Sequence, residues 1–62
     1  MTLSQLKEWT NRQIVKYPKA KEEMVDFYQL CLDEIEEGGS IKNEIYLCMN
    51  SIDQLIKEKH DN

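Results

Sequence analysis

An all-α domain, three helices running up, down and up and built on a helical hairpin, is what this 62-residue chain predicts. Three observations carry the expectation. Apolar residues recur at spacings of three and four in three separate stretches, the pattern of one helical face. One proline and one Gly-Gly pair divide those stretches. The stripe Met24, Phe27, Tyr28, Cys31, Ile35 can also be folded back about Gly38-Gly39-Ser40 onto Ile41, Ile45, Cys48, Ile52, Leu55, Ile56. In that antiparallel register Cys31 faces Cys48, Ile35 faces Ile45 and Met24 faces Leu55, so apolar residues meet in each pair.

The first helix is expected over about 3–17. Thr2-Leu3-Ser4-Gln5 fits a capping box, in which the threonine oxygen takes a free amide and the glutamine reaches back. Leu3, Leu6, Thr10, Ile14 and Tyr17 then mark one face. Pro18 ends the helix, because the residue before a proline is pushed out of the α region.

The second helix is expected over about 19–37, starting at Pro18 or Lys19, since a proline at the first helical position loses no hydrogen bond. Met24, Val25, Phe27, Tyr28, Cys31, Leu32 and Ile35 fall on one broad face, with Leu30 nearly opposite. Gly38 is the natural left-handed residue to close it, and Gly39 adds freedom to the turn. The third helix is expected over about 41–59 behind Ser40 as N-cap. Its stripe is Ile41, Ile45, Cys48, Met49, Ile52, Leu55 and Ile56, while Tyr46 and Leu47 point away. Lys57, Lys59 and His60 suit the negative end of its dipole. The tail Asp61-Asn62 is expected to fray.

Size and composition bound the function classes. A chain this short buries only about 60% of the surface its unfolded form exposes, which leaves no room for a deep pocket with a supporting shell. The net charge is −4, with 40% hydrophobic and 32% charged residues. That balance suits a folded domain and argues against general binding to phosphate backbones. No apolar run approaches the ~18 residues of a membrane span, and the N-terminus lacks the pattern of a signal peptide. The expected location is the cytoplasm. Two cysteines on apolar helix faces read as small reduced hydrophobes, although a Cys31–Cys48 bond is geometrically conceivable.

Enzymatic chemistry is not expected. His60 is the only histidine, so no core-positioned Ser-His or Cys-His pair can be assembled. Paired carboxylates such as Asp33 and Glu37 share a helix face, but acid–base work needs a pocket that separates their pKa values. Carboxylate metal sites would want a histidine beside them, and Gly38-Gly39-Ser40 lacks the lysine of a phosphate loop. Neither a cofactor nor a metal is expected.

Two features point to a partner instead. From Glu22 to Glu37 the chain carries seven acids and no base. Lys19 and Lys21 stand at the start of the second helix and Asp33, Glu34, Glu36 and Glu37 at its end, and both placements oppose the macrodipole. This acidic end would dock a basic surface, on another protein or a second copy; against that stands the plain reading of a solvated face. The second feature is the apolar set off the core faces: Leu30, Leu47, Val15 and, less clearly, Trp9 and Tyr46. Leu30 and Leu47 could lie together on the outer side of the hairpin, as a contact patch does. The partner-binding residues so assigned are Asp33, Glu34, Glu36, Glu37, Leu30 and Leu47. A homo-oligomer or assembly piece, and an acidic mimic of DNA, are the alternatives, though such mimics usually carry far more negative charge.

The run Asp33-Glu34-Ile35-Glu36-Glu37-Gly38-Gly39-Ser40, followed by Glu44-Ile45 and Cys48, resembles small helical proteins encoded by tailed bacteriophages. It spans the C-terminal half of the chain and carries no catalytic motif. The resemblance implies an accessory protein that acts on a host or phage partner by binding.

Overall fold

The computed structural model describes residues 1–60, His60 by its backbone alone; the expected frayed tail, Asp61-Asn62, lies outside the described residues. Three helices pack into an all-α bundle with no strand among the described residues. They are α1 (Leu3–Lys16), α2 (Lys21–Glu36) and α3 (Ile41–His60). The bundle measures 37 × 18 × 18 Å, its long dimension following from α3, whose 20 residues extend about 30 Å at the α-helical rise.

Each boundary has a local cause. At the start of α1 the Thr2 amide donates to Gln5 Oε1 at 2.8 Å, and the Gln5 amide donates to Thr2 Oγ1 at 3.2 Å. That reciprocal pair is the capping box, and it satisfies two amides a helix start otherwise leaves open. Tyr17 leaves the helix at φ −130°, ψ 65°, as a residue before proline must.

The second helix departs from expectation. Pro18–Ala20 form a 3-10 turn, closed by the Ala20 amide donating to Tyr17 O at 3.0 Å, and α2 proper begins at Lys21. The tighter turn carries Ala20 into the core, 2% exposed. It also corrects the charge reading at this end. Lys19 lies in the 3-10 turn; Lys21 does open α2, but Glu22 and Glu23 follow it in the first turn, where negative charge is favourable and outweighs it. The net opposition to the dipole therefore lies at the C-terminal end, which has no base in its last turn.

Gly38 and Gly39 close α2 in different ways. The Gly39 amide donates to Glu34 O at 2.8 Å and the Gly38 amide to Ile35 O at 3.1 Å, the paired bonds of a Schellman motif. Gly38 takes φ +105°, which side chains disfavour. Gly39 serves close approach rather than freedom: a Cβ there would sit 2.8 Å from Glu34 O. Ser40 then caps α3, its Oγ accepting from the Asn43 amide at 3.5 Å.

The core joins all three helices. Leu6 of α1, Met24 of α2 and Ile52 of α3 are fully buried. Ala20, Cys31, Ile45, Cys48 and Leu55 complete it, with Leu3, Ile14, Phe27, Tyr28 and Ile35 packed around them. Three residues are placed otherwise than the periodicity implies. Ile41 is 51% exposed; its counterpart in the antiparallel register is Gly38, which offers no side chain to cover it. Val25 is also exposed, turned from the seam to the edge of a small cleft with Thr10, Ile14 and Tyr28. Trp9, expected off the core, is half-buried and packs against it.

Candidate functional site

The α2–α3 hairpin has two flanks. α1 lies along one; the other is an open groove lined in its first segment by Phe27, Leu30, Cys31 and Glu34 of α2 and Glu44, Leu47, Cys48 and Ser51 of α3. This segment encloses about 200 Å³. A second segment shares Phe27, Leu47 and Ser51 with it and continues past Gln54 and Leu55 to Glu23 and Glu58. From Glu44 to Glu58 the groove follows about 21 Å of helix.

The antiparallel register builds this surface. Residues whose numbers sum to nearly the same value face each other, which sets Phe27 beside Ser51, Leu30 beside Leu47 and Glu34 beside Glu44. Leu30 and Leu47 are 55% and 56% exposed, so the wall is apolar yet open to water. The floor is the thiol pair. Cys31 and Cys48 are both buried free cysteines, neighbours across the seam.

Electrostatics make that floor inert. Burial first, then the neighbouring Cys31, pushes the Cys48 thiol up to about 11. Burial raises Cys31 as well, reinforced by the nearby Glu44 carboxylate. The thiolate is the nucleophile and the metal ligand, so neutral thiols at physiological pH behave here as packing groups. No group of three or more His, Cys, Asp or Glu among the described residues is arranged to hold a metal ion. At the far end Lys59 Nζ meets Glu23 Oε1 at 2.9 Å, a half-exposed ion pair that clips α3 to α2. Pairs of this kind contribute about 0–1 kcal/mol.

Of the residues assigned from sequence to partner binding, the fold brings Leu30, Leu47 and Glu34 into one groove. It does not bring Asp33, Glu36 and Glu37 there: all three are exposed at the end of α2. Asp33 Oδ1 accepts a hydrogen bond from Gln29 Nε2 at 3.1 Å along the same helix. Phe27, Glu44 and Ser51 in the first segment, and Glu23, Asn50, Gln54, Leu55 and Glu58 in the second, also line the groove, and the sequence did not mark them for partner binding. The register contained the signal for Glu44, since it faces Glu34, but an isolated acid at a helix start gives no reason to look. No helix among the described residues is long and apolar enough to cross a membrane.

In comparisons with known proteins, no family model, no curated protein and no solved structure matches the chain, which leaves the geometry as the guide to its function.

Proposed function

We propose that the chain is a small non-enzymatic interaction module that binds a partner protein through a basic surface, with the α2–α3 groove and the acidic end of α2 as the contact. One observation carries the reading: two half-exposed leucines from different helices, Leu30 and Leu47, stand together beside Glu34 in a single groove. Clustered apolar side chains rimmed by polar ones mark contact surfaces, whereas scattered ones do not. The exposed acids Asp33, Glu36 and Glu37 extend the negative field beyond the groove and would speed encounter with a basic partner. On the same reading, the phage resemblance makes the chain an accessory protein acting in the host cytoplasm on a host or phage protein. Direct binding to nucleic acid is not part of it, given the net charge of −4.

The test is capture from cell lysate by three forms of the chain. They are the natural protein, one carrying Asp33→Asn, Glu34→Gln, Glu36→Gln and Glu37→Gln, and one carrying Leu30→Ser and Leu47→Ser. Circular dichroism checks that each remains helical. A partner held by the natural chain, weakened by the first variant and lost from the second, is the expected result. Equal capture by all three forms sinks the reading. A homo-oligomer formed through the leucines would instead show in light scattering as a mass that rises with concentration and falls to the monomer in the leucine variant.

A further inference from the structure

We propose that the groove takes an amphipathic α-helix of another protein, with bulky apolar residues along its inner face and its Lys or Arg residues gathered at the end that meets Glu34 and Glu44. This rests on the proposed function for the premise that the groove is used, and adds what occupies it.

α1 shows the shape that fits such a groove. A pair of antiparallel helices presents a seam on each flank, and a third helix packs along such a seam by setting its side chains between theirs. α1 does this on the closed flank with Leu6 and Thr10, which are buried there. The open flank offers an equivalent seam about 21 Å long, which matches about 14 residues of helix, and a helix laid there would complete a four-helix arrangement. An extended strand finds no matching partner, because helices satisfy their own backbone groups and offer no free edge to pair with.

Charge selects among helices. The groove is apolar along its floor and middle, through Phe27, Leu30, Leu47 and Leu55, and no Lys or Arg lines either segment. Glu34 and Glu44 both line the groove at the Gly-Gly end. At the opposite end Glu23 already holds Lys59, and Glu58 is engaged as well. The demand for positive charge therefore falls at one end of the groove, which orients the incoming helix as well as choosing it.

The same charges disfavour a second copy of this chain. Groove against groove, a two-fold axis along the groove would set the two Glu34–Glu44 ends together and one across it would set each against the end lined by Glu23 and Glu58; like charges across an interface oppose association in either case. The outer face of α1, where Val15 is 80% exposed among Arg12 and Lys16, could enter a neighbour's groove. That contact is head-to-tail, so it builds a ring or a filament instead of a two-fold dimer.

The experiment uses the full chain and a synthetic amphipathic peptide of about 18 residues, with leucines three and four apart and lysines toward one terminus. A control peptide carries glutamate for each lysine. Calorimetric titration and amide chemical shifts are read together. The expected result is binding of the lysine peptide alone, with shifts centred on Leu30, Glu44, Leu47 and Ser51. Affinity should fall by about tenfold or more in Leu47→Ser and, separately, in the double variant Glu34→Gln, Glu44→Gln. Four results overturn the proposal. Shifts confined to Asp33, Glu36 and Glu37 would discard the groove while leaving an acidic interaction module standing. No binding of the peptide, with a lysate partner still captured by the natural chain and lost on leucine substitution, would discard the helical occupant alone. Equal binding of both peptides would remove the charge selection. A concentration-dependent mass abolished by Leu47→Ser would give the groove to a second copy.

Discussion

The two flanks of the α2–α3 hairpin are made by the same two helices, yet they have opposite fates. On the flank that α1 covers, Leu6 is fully buried and Thr10 is 3% exposed. On the other, Leu30 and Leu47 keep more than half of their surface in water. Leucine alone does not account for the contrast, since the one in α1 is buried and the two on the open flank are not. What differs is whether the chain supplies a third helix. Among the described helices α1 closes one seam and none closes the other, and the seam left open is where an outside helix has room. Stability is concentrated on one flank and, on the reading above, function on the other.

That contrast can be broken or sharpened by substitution, and the largest expected effect lies in the core. Ile52→Ala removes a fully buried side chain at the centre of the bundle and should cost about 2–5 kcal/mol in urea unfolding. Leu47→Ala on the open flank should cost under about 1 kcal/mol, because its side chain is already half in water. Similar losses at both positions would mean the open flank is part of the core after all.

The thiol floor between the flanks responds to pH. Folded, Cys48 keeps its proton until about pH 11, whereas the unfolded thiol ionises near 9.0. Raised folded-state values give stability that is fully present below the unfolded pKa and is lost as pH rises through the folded one. The urea midpoint should therefore hold steady up to about pH 9 and decline from there toward 11. In Cys48→Ala the decline should be shallower, with Cys31, raised in the same direction, supplying what remains. An unchanged slope in that variant would place the pH response elsewhere.

A smaller effect is expected on the closed flank. Thr10 Oγ1 is buried with no hydrogen-bond partner, and an unsatisfied buried hydroxyl costs about 1–3 kcal/mol. Thr10→Val keeps the shape and removes the hydroxyl, so unfolding should shift toward greater stability by about 1 kcal/mol. A loss of stability would show that the hydroxyl is paired in solution.

The smallest effect separates stability from binding most cleanly. Glu34→Lys puts a cation near the end of α2, whose last turn has no base, and should stabilise the helix by about 0.3–1 kcal/mol. The same change reverses the charge facing Glu44 in the groove and should abolish binding of the basic peptide. A variant that is more stable and still binds would separate the acidic rim from recognition.

Much of the architecture was legible in the chain because its causes are local. Capping by Thr2 and Gln5, the exit at Tyr17 before Pro18 and the left-handed Gly38 each depend on residues a few positions apart. The Cys31–Cys48 pairing was legible as well, since a short turn between two helices leaves few registers that keep apolar residues together. Of the candidate site, only Leu30, Leu47 and Glu34 were legible, as outliers from the stripes. Asp33, Glu36 and Glu37 read from sequence as one cluster with Glu34, but about 100° per residue turns neighbours along a helix to different faces. A run in sequence is therefore not a run on a surface.

Periodicity, proline and glycine act over one or two turns, so the three helices, their caps and the register in which α2 and α3 meet are written locally in the chain. Tertiary structure decided the rest. It drew Ala20 and Trp9 inward, left Val25 and Ile41 outside, and chose which flank of the hairpin α1 covers. Those outcomes depend on where one helix lies against two others, through a seam with two nearly equivalent sides. Periodicity tells which residues seek cover, and only the packing of the whole chain tells which of them receive it.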